Sequence, residues 1–316
     1  MELESVDCIF CGPGPTTLYH RENGYDAVRC DGCGLVFVTP RPTEASMKHL
    51  YEGQETKIDL ARQITNVEHT TAEARRSLAL IQAFKTRGDV LEIGCAAGYF
   101  LREARRLGFG TTGIELTHPF AHFAREVLGL DVREGSLLGL PLADESFDVV
   151  YHRNVLSHLG HPMASFERIH QLLRPDGLMV FQTGNVAELP GEHWAGTAEL
   201  DLPDHLYHYG EPTLRLLLER TGFEVLRVER YPLIAHEPWI RRLVSRLRAE
   251  PGAAEARRPP AQKPAYTPPN VAPASNPWRE LGQLFEGLLT YELGALVPPE
   301  GRRATLKVVA RKRHSA

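Results

Sequence analysis

The sequence predicts an α/β fold in which helices cover both faces of a mostly parallel sheet. Short apolar strands alternate with amphipathic helical segments between residues 86 and 231. Parallel strands need a long crossover, which is usually a helix, so this alternation favours a parallel sheet. A second observation is that four cysteines form two closely spaced pairs near the N-terminus. This spacing predicts a small separate module in front of the α/β core.

Length and composition narrow the class of protein. The chain has 316 residues, of which 42% are hydrophobic, and a formal net charge of −4. These values suit one large core with a smaller module beside it. The near-neutral charge disfavours general binding to nucleic acid. No apolar run is long enough to span a membrane, and the first residues do not follow the pattern of a secretory signal. We therefore expect a cytoplasmic protein with no membrane span.

The N-terminal module, residues 1–45, carries the paired cysteines in "CIFC" and "CDGC". They are Cys8, Cys11, Cys30 and Cys33. In a reducing compartment two C-x-x-C pairs favour one tetrahedral Zn²⁺ over disulfides. Because four thiolates leave no open coordination position, the metal would be structural. Short strands are predicted in "TTLYH", "YDAVRC" and "LVFVTPRP", which makes the module a zinc ribbon. Docking of a partner on the ribbon stays open as an alternative, although its charges are balanced.

The central region is expected to follow a helical connector over residues 46–85, in which "AEARRSLALIQAF" has helical spacing. The core over residues 86–231 is then predicted to alternate in order. Its strands are "VLEI", "FGTTGIEL", "LDVREGS", "FDVVYHRNV", "LMVFQTG" and "FEVLRVERY", and its helices lie in "YFLREARRLG", "PFAHFAREVLG", "PMASFERIHQLL" and "EPTLRLLLERTG". This pattern places ligand-binding loops at the carboxyl ends of the strands.

The turn after the first core strand has the chemistry of a nucleotide-like site. Glu92, Gly94 and Gly98 form E-x-G-x-x-x-G, and Glu115 ends the next strand. Small residues let a ligand approach the backbone, and a carboxylate at the second strand end suits ribose hydroxyls. The run "GCAAGY" has fewer glycines than a dinucleotide site prefers. The turn therefore favours a ligand without a pyrophosphate.

The motifs "VLEIGCAAGYF", "GIEL", "FDVVYHRNVLSHLGHP" and "LLRPDGLMVFQTGN" resemble those of class I S-adenosylmethionine-dependent methyltransferases. The resemblance covers residues 86–231, with "ATLKVVARK" in residues 304–316 as the last, antiparallel strand before a basic tail. It implies a Rossmann-like sheet and S-adenosylmethionine as cofactor. With the ribbon in front, the chain is similar to the zinc-ribbon subgroup that includes deoxysugar C-methyltransferases.

The resemblance also implies roles for single residues. Glu92, Gly94, Cys95 and Gly98 would line the methionine part of the cofactor, Glu115 would hold the ribose, Ser136 and Leu137 would lie beside the adenine, and Asn154 would border the sulfonium. The chain departs from many relatives at Ala96, Ser136 and Ser157, where those relatives have Gly, Asp and Glu. The Asn-Pro-Pro-aromatic motif of base N-methyltransferases is absent from the sequence, and "HRNV" stands in its place.

Methyl transfer to a hydroxyl or carbon acid requires a proton acceptor, and histidine is the usual one. In the related sugar enzymes a histidine in an acidic-His-x-aromatic context has this role. Here "DHLY" matches, so His205 is the first candidate base, with Asp204, Tyr207 and His208 as pocket residues. His158 and His152 are further candidates for a catalytic residue beside His205. The stretch "DLPDHLYHYGEP" is not expected to bind metal, and an ordering role for its histidines stays open.

Residues 232–303 form an insertion before the last strand, with a basic amphipathic helix, a Pro-rich stretch and a second amphipathic helix. It is interpreted either as a cover over an anionic or lipid-linked acceptor or as a helical pair that docks on the core or on a second protomer. The sequence thus predicts a methyltransferase for a small-molecule acceptor, either a natural product or a sugar nucleotide, methylated at carbon or oxygen. A macromolecular methyltransferase, a non-catalytic zinc-ribbon scaffold and a homodimer are the alternatives kept open.

Overall fold

The computed structural model describes residues 2–47, 60, 64, 67–194, 200–232 and 303–313. In chain order the strands are β1 (Leu3–Glu4), β2 (Thr16–Glu22), β3 (Tyr25–Cys30), β4 (Val36–Val38), β5 (Arg41–Pro42), β6 (Asp89–Ile93), β7 (Gly110–Glu115), β8 (Val132–Glu134), β9 (Phe147–Arg153), β10 (Leu173–Gly184), β11 (Tyr207–His208), β12 (Phe223–Pro232) and β13 (Ala304–Lys312). The helices are α1 (Val67–Gln82), α2 (Tyr99–Arg106), α3 (His118–Glu126), α4 (Pro162–Leu172) and α5 (Glu211–Arg220).

The large sheet has seven strands in the order β12-β13-β10-β9-β6-β7-β8. Strands β6 to β10 are mutually parallel, whereas β13 runs antiparallel to both β10 and β12. The predicted α/β, Rossmann-like class is confirmed, including "ATLKVVARK" as an antiparallel strand. The order of the strands places β6 next to β7 and β9, so the loops that follow these three strands open at one edge.

Alternate residues along the strands face two apolar cores, because successive side chains in a strand point to opposite faces. On one face Val90 and Tyr151 pack against α1, α2 and α3, with the rings of Phe100 and Tyr151 stacked at a centroid distance of 3.9 Å. On the other face Leu91 and Phe181 pack against α4 and α5. Helices therefore cover both faces, as the runs of buried apolar residues in the strands require.

The ribbon forms a four-stranded sheet in the order β11-β4-β3-β2, with β1 and β5 as a separate pair. Its outer strand β11 comes from the opening part of "YHYGEP", and Tyr207 and His208 pair with Phe37 and Val36. The predicted ribbon strands are present, but the sequence did not predict that residues 207–208 would complete their sheet. The ribbon and the wall of the candidate acceptor pocket are thus parts of one structure.

Further contacts hold the ribbon to the segment that follows β10. The Tyr19 hydroxyl donates to the backbone carbonyls of Val186 and Leu189, at 2.7 and 3.0 Å, and accepts from Trp194 Nε1 at 2.9 Å. Trp194 and Leu200 lie buried in the small core shared by the ribbon and this segment. The ribbon is therefore anchored to the α/β core by buried polar and apolar contacts.

Two predicted regions cannot be compared with the structure. Residues 233–302, almost all of the predicted insertion, and most of residues 48–66 in the predicted connector lie outside the described residues. The described part of the connector contains α1, Val67–Gln82, which lies within the predicted helical range. Among the described residues, no helix has the length and apolar character needed to cross a membrane.

Candidate active site

The turn between β6 and α2 is shaped by two glycines in the left-handed region. Gly94 and Gly98 have φ of 67° and 81°, values that residues with a Cβ rarely adopt. A Cβ at Gly94 would lie 2.7 Å from Val155 Cγ2, and one at Gly98 would lie 2.6 Å from Leu130 Cδ1. Only glycine therefore suits either position, and the turn packs tightly on both neighbouring loops.

Glu92, at the end of β6, is a buried carboxylate. It is 6% exposed, and its Oε2 has no hydrogen-bond partner among the described residues. Burial raises the pKa of Glu92 well above its usual value, and the charge of Glu115 adds to this effect while Arg153 opposes it. An unsatisfied buried carboxylate oxygen at a strand end is a binding atom for a donor group of a ligand.

Glu115 ends β7, and its carboxylate connects the β6–α2 turn with the turn that follows β7. Its Oε2 accepts from the Ala96 N–H at 2.8 Å, and its Oε1 accepts from the Thr117 N–H at 2.9 Å and the Thr117 hydroxyl at 2.8 Å. The carboxylate is thereby fixed at the mouth of the β6–α2 turn. Oε1 thus has both lone pairs occupied, whereas Oε2 retains a second lone pair that can still accept from a ribose hydroxyl.

The predicted adenine neighbours lie on the loop after β8. The Ser136 hydroxyl accepts from the Gly139 N–H at 3.1 Å and so closes a local turn, while Leu137 is buried. Leu116 and Leu138, which directly follow Glu115 and Leu137, are 46% and 48% exposed and so offer apolar surface on these two loops. Neither leucine was predicted as a site residue, although its place next to a predicted one is a signal that the sequence contains.

Asn154 follows the last residue of β9 and has a φ of 55°. Its N–H donates to the Gln182 carbonyl at 2.9 Å, which ties the exits of β9 and β10 together. A left-handed backbone at a residue other than glycine stores strain, and such residues are concentrated at functional sites. Asn154 thus lies at the exit of β9, the strand next to β6, and its sulfonium contact stays a prediction.

The structure places His152 in the apolar core. Its ring stacks on Phe181 at a centroid distance of 4.9 Å and meets Phe166 edge-on at 6.1 Å. The side chain is 1% exposed, and among the described residues neither ring nitrogen has a hydrogen-bond partner. Burial lowers the pKa of His152 to about 3. A neutral core histidine is the role that these surroundings support.

The other two candidate bases come together with Asp204. His158 Nδ1 lies 3.2 Å from Asp204 Oδ1 and 3.1 Å from the Asp204 carbonyl oxygen, and its ring meets the His205 ring edge-on at a centroid distance of 4.6 Å. All three side chains are partly exposed. We call these three residues the His–Asp cluster. The sequence named its members separately but did not foresee their proximity, because 46 residues separate His158 from Asp204.

The cluster is held by backbone hydrogen bonds to both parts of the molecule. The Leu206 N–H donates to the Ser157 carbonyl at 2.7 Å, which fixes the segment of His205 beside that of His158. The Leu206 carbonyl accepts from the Val38 N–H of the ribbon at 3.0 Å. The positions of the cluster residues therefore depend on the loop after β9 and on the ribbon at once.

Tyr207 and His208, the other predicted pocket residues, are buried in the ribbon sheet. The Tyr207 hydroxyl accepts from Arg41 at 3.0 Å, and burial raises the pKa of Tyr207. His208 lies 6.0 Å from the ring of His205, and its pKa is lowered to about 3, first by burial and then by the charges of His205, His158 and His20. Both side chains have little exposed surface, so neither offers much area to an acceptor.

The four ribbon cysteines converge, with their sulfurs all within 4.8 Å of one another. Both pairs fold alike: the Gly12 N–H donates to the Cys8 carbonyl, and the Gly34 N–H donates to the Cys30 carbonyl, each at 2.8 Å. Four sulfurs around one Zn²⁺ would be about 3.8 Å apart, given Zn–S bonds of about 2.3 Å. The separation of 3.5 Å between Cys8 Sγ and Cys33 Sγ fits that geometry.

Comparison with known proteins identifies the class of this chain. Residues 66–228 match a family model described as a methyltransferase domain. Because this match spans more than half of the chain, the chain belongs to this family of methyltransferase domains.

Individual relatives agree with that family. A probable S-adenosylmethionine-dependent methyltransferase of Mycolicibacterium smegmatis is 34% identical over 144 residues, which cover 43% of this chain and 52% of the relative. A ubiquinone biosynthesis O-methyltransferase of Roseobacter denitrificans is 32% identical over 171 residues, which cover 48% of this chain and 68% of the relative. The chain spans about half the length of most of the curated relatives it matches. The predicted S-adenosylmethionine-dependent class is confirmed by these similarities.

A solved structure adds evidence on the fold alone. The [4+2]-cyclase SpnF superposes with a TM-score of 0.50 and 18% identity, covering 87% of this chain and 99% of that chain. Because that protein is named as a cyclase, a shared fold does not by itself establish methyl transfer.

The residues of the β6–α2 turn fit the cofactor that the family implies. The unpartnered oxygen of Glu92 is available to a donor group, and the two glycines let the turn take its left-handed conformation while packed against Val155 and Leu130. The carboxylate of Glu115 stands at the second strand end, where ribose hydroxyls would be held. When bound, S-adenosylmethionine supplies an electrophilic methyl group on a sulfonium.

Proposed function

We propose that this protein transfers a methyl group from S-adenosylmethionine to the carbon or oxygen of a small-molecule acceptor. The observation that carries the proposal is the placement of the His–Asp cluster, in which His158 lies on the segment that leaves β9, the strand next to the cofactor-side strand β6. A partly exposed pair of histidines at this edge of the sheet suits proton removal from an acceptor that lies between cluster and cofactor.

The chemistry requires alignment and, for a hydroxyl or carbon acid, removal of one proton. We assign His205 as the proton acceptor. The hydrogen bond of His158 to Asp204 fixes the neighbouring backbone. Alignment of acceptor and methyl group contributes about 7–11 kcal/mol in favourable cases, and a general base adds about 10²–10⁴-fold. The residues named for the methionine, ribose, adenine and sulfonium contacts would set that alignment.

The remaining parts of the proposal concern the ribbon and the acceptor. We assign a structural Zn²⁺ to the four ribbon cysteines, since no coordination position is left for substrate. The acceptor is proposed to be a natural-product or sugar-nucleotide intermediate. The similarity to a ubiquinone biosynthesis O-methyltransferase supports a small acceptor. We further propose that the chain is divided into residues 1–45, 46–85, 86–231, 232–303 and 304–316. We also propose a cytoplasmic location and a homodimer.

A macromolecular methyltransferase is the second candidate. It would use the ribbon to dock RNA or a peptide, and its mark would be a basic ribbon face. On the described ribbon Arg21 pairs with Asp26, and Arg41 pairs with Glu4, so these positive charges are neutralised. A non-catalytic scaffold is the third candidate. The left-handed glycines and the unpartnered Glu92 oxygen of the β6–α2 turn disfavour it, because they suit a bound ligand.

Two measurements test the proposal. Isothermal calorimetry should detect S-adenosylhomocysteine binding to the purified chain; absence of binding at millimolar concentration would refute the methyltransferase assignment. His205→Ala should preserve that affinity but lower turnover by about 10²-fold or more, the loss expected for a missing general base. His161→Ala is the control, since His161 lies in the loop of His158, outside the His–Asp cluster, and has an exposed side chain. Near-normal turnover of His205→Ala would remove His205 from the base role.

A further inference from the structure

The His–Asp cluster contains the ligand types of a metal site as well as those of a proton relay. His158, Asp204 and His205 each offer one ligand atom, and these atoms all lie within 4.8 Å of one another. Two imidazoles and one carboxylate are a frequent ligand set for divalent transition metals with open coordination positions. The cluster is separate from the four cysteines and uses no thiolate.

We propose that His158, Asp204 and His205 bind one divalent transition-metal ion, such as Zn²⁺. Two ligands on one tetrahedral Zn²⁺ are about 3.3 Å apart, given metal–ligand bonds of about 2.0–2.1 Å. The hydrogen bond between His158 Nδ1 and Asp204 Oδ1 already brings these atoms to 3.2 Å, and the ion would take the place of the proton on Nδ1. The wider separations close by rotation of side chains that are only partly buried, so the backbone can stay in place.

The exposure of the cluster distinguishes it from the ribbon cysteines. The side chains of His158 and Asp204 are 24% and 27% exposed, so a bound ion would face the pocket. Three protein ligands leave at least one coordination position for an oxygen of the acceptor. The site therefore suits an acceptor with a hydroxyl or a carbonyl next to the carbon that is methylated.

The chemical consequence rests on the proposed methyl transfer. A cation that binds the acceptor's hydroxyl lowers its pKa, the O–H proton passes to solvent, and the resulting oxygen anion attacks the methyl group as the carbon–sulfur bond breaks. A ring nitrogen that ligates the ion has no lone pair for a proton. In the metal-loaded protein the ion thus replaces His205 as the group that ionises the acceptor.

Metal stoichiometry tests this site without reference to turnover. The full chain is brought to equilibrium by dialysis against micromolar free Zn²⁺, and zinc per chain is measured by elemental analysis. Wild type should hold about two ions per chain, one in the ribbon and one in the His–Asp cluster, whereas His205→Ala and Asp204→Asn should each hold about one. His161→Ala should hold as many as wild type, and circular dichroism should show that all variants are folded.

The outcomes separate this inference from the proposed function. A single zinc ion per wild-type chain, or a second ion that both cluster variants retain, overturns the metal site. Calorimetry with S-adenosylhomocysteine on the same samples reports the cofactor site independently. If the cofactor binds but no second ion does, the methyltransferase proposal stands with His205 as base and the metal site is overturned. If a second ion binds but the cofactor does not, the metal site stands and the methyltransferase proposal is overturned.

Discussion

The cofactor side and the acceptor side of the candidate site are built in different ways. The cofactor side comes from consecutive strand–helix turns, where Glu92, Gly94 and Glu115 lie within one short stretch of sequence. The acceptor side brings together His158, Asp204 and the ribbon strand β4, which are distant in sequence. Short-range motifs can specify the first kind of site, whereas only the tertiary fold assembles the second. Because the two sides are built independently, single substitutions should be able to perturb one without the other.

Loss of the ribbon metal should have the largest effect and should fall on the acceptor side. Structural Zn²⁺ stabilises small metal-binding modules by about 10–16 kcal/mol, so Cys30→Ser should unfold the ribbon and release β11 from β4. Turnover should fall to background while S-adenosylhomocysteine affinity changes by less than about threefold, or about 0.6 kcal/mol. Elemental analysis, calorimetry and a methyl-transfer assay measure the three quantities.

The control for this change is Cys95→Ser, whose sulfur lies outside the ribbon cluster. It should retain the ribbon zinc. If Cys30→Ser abolished cofactor affinity as strongly as turnover, the two sides would not be separable.

The reverse perturbation is Gly94→Ala, which should act on the cofactor side. A left-handed alanine costs about 1–2 kcal/mol, and the contact of its Cβ with Val155 adds about 1–3 kcal/mol. Gly108→Ala is the matched control, because Gly108 has a φ of 87° but nothing within 4 Å of the added Cβ. Chemical denaturation should show the larger loss for Gly94→Ala, and calorimetry should show weakened S-adenosylhomocysteine binding for that variant only. Equal losses of stability in both variants would mean that the Val155 side chain moves aside without loss of free energy.

His152→Phe tests whether this histidine belongs to the core or to the acceptor side. Its folded pKa of about 3 lies below the ordinary value of 6.5, so the unfolded chain binds the proton first as the pH falls. Stability should therefore decline between about pH 6.5 and pH 3, with a contribution from His152 of up to about 1.4 kcal/mol per pH unit. Phenylalanine does not titrate, so denaturation curves of His152→Phe should lose this part of the slope.

At neutral pH the same variant should be as stable as wild type or more so, because two unsatisfied ring nitrogens are removed from an apolar site. An unchanged pH slope, or a turnover loss as large as that of His205→Ala, would return His152 to the candidates for the base.

Ser136→Ala should have the smallest effect. The Ser136 hydroxyl already accepts from the Gly139 N–H, so its removal loosens a surface turn and costs less than about 0.5 kcal/mol. Calorimetry should show nearly unchanged affinity for S-adenosylhomocysteine. A tenfold loss would instead indicate that the hydroxyl contacts the adenine directly, as the family resemblance allows.

Much of the fold was predictable because its signals are local. The last strand was predicted with the bounds that β13 has, and β3 likewise matches "YDAVRC". In these segments the apolar pattern alone determines the strand. The β6–α2 turn was equally predictable, because its strand-end carboxylate and both left-handed glycines lie inside the seven residues "EIGCAAG".

The parts that could not be predicted depend on contacts between distant residues. Strand β11 has two residues, too few for a periodic pattern, and its partner strand lies in the ribbon. The proximity of His158 to Asp204 follows from the Leu206 to Ser157 hydrogen bond, which no local pattern encodes. His152 looked like a strand-end base because the sequence does not show which face of β9 it occupies next to Phe181.

The pairing of β11 with β4 also constrains the order in which the chain can fold during synthesis. Arg41 and its hydrogen-bond partner Tyr207 are 166 residues apart in the chain. All four ribbon cysteines are available as soon as Cys33 has left the ribosome, but the ribbon sheet stays one strand short until most of the α/β core has been made. At about 5–20 residues per second that interval lasts roughly ten to thirty seconds. Ribbon exchange between related enzymes would therefore require the transfer of two separate segments of the chain.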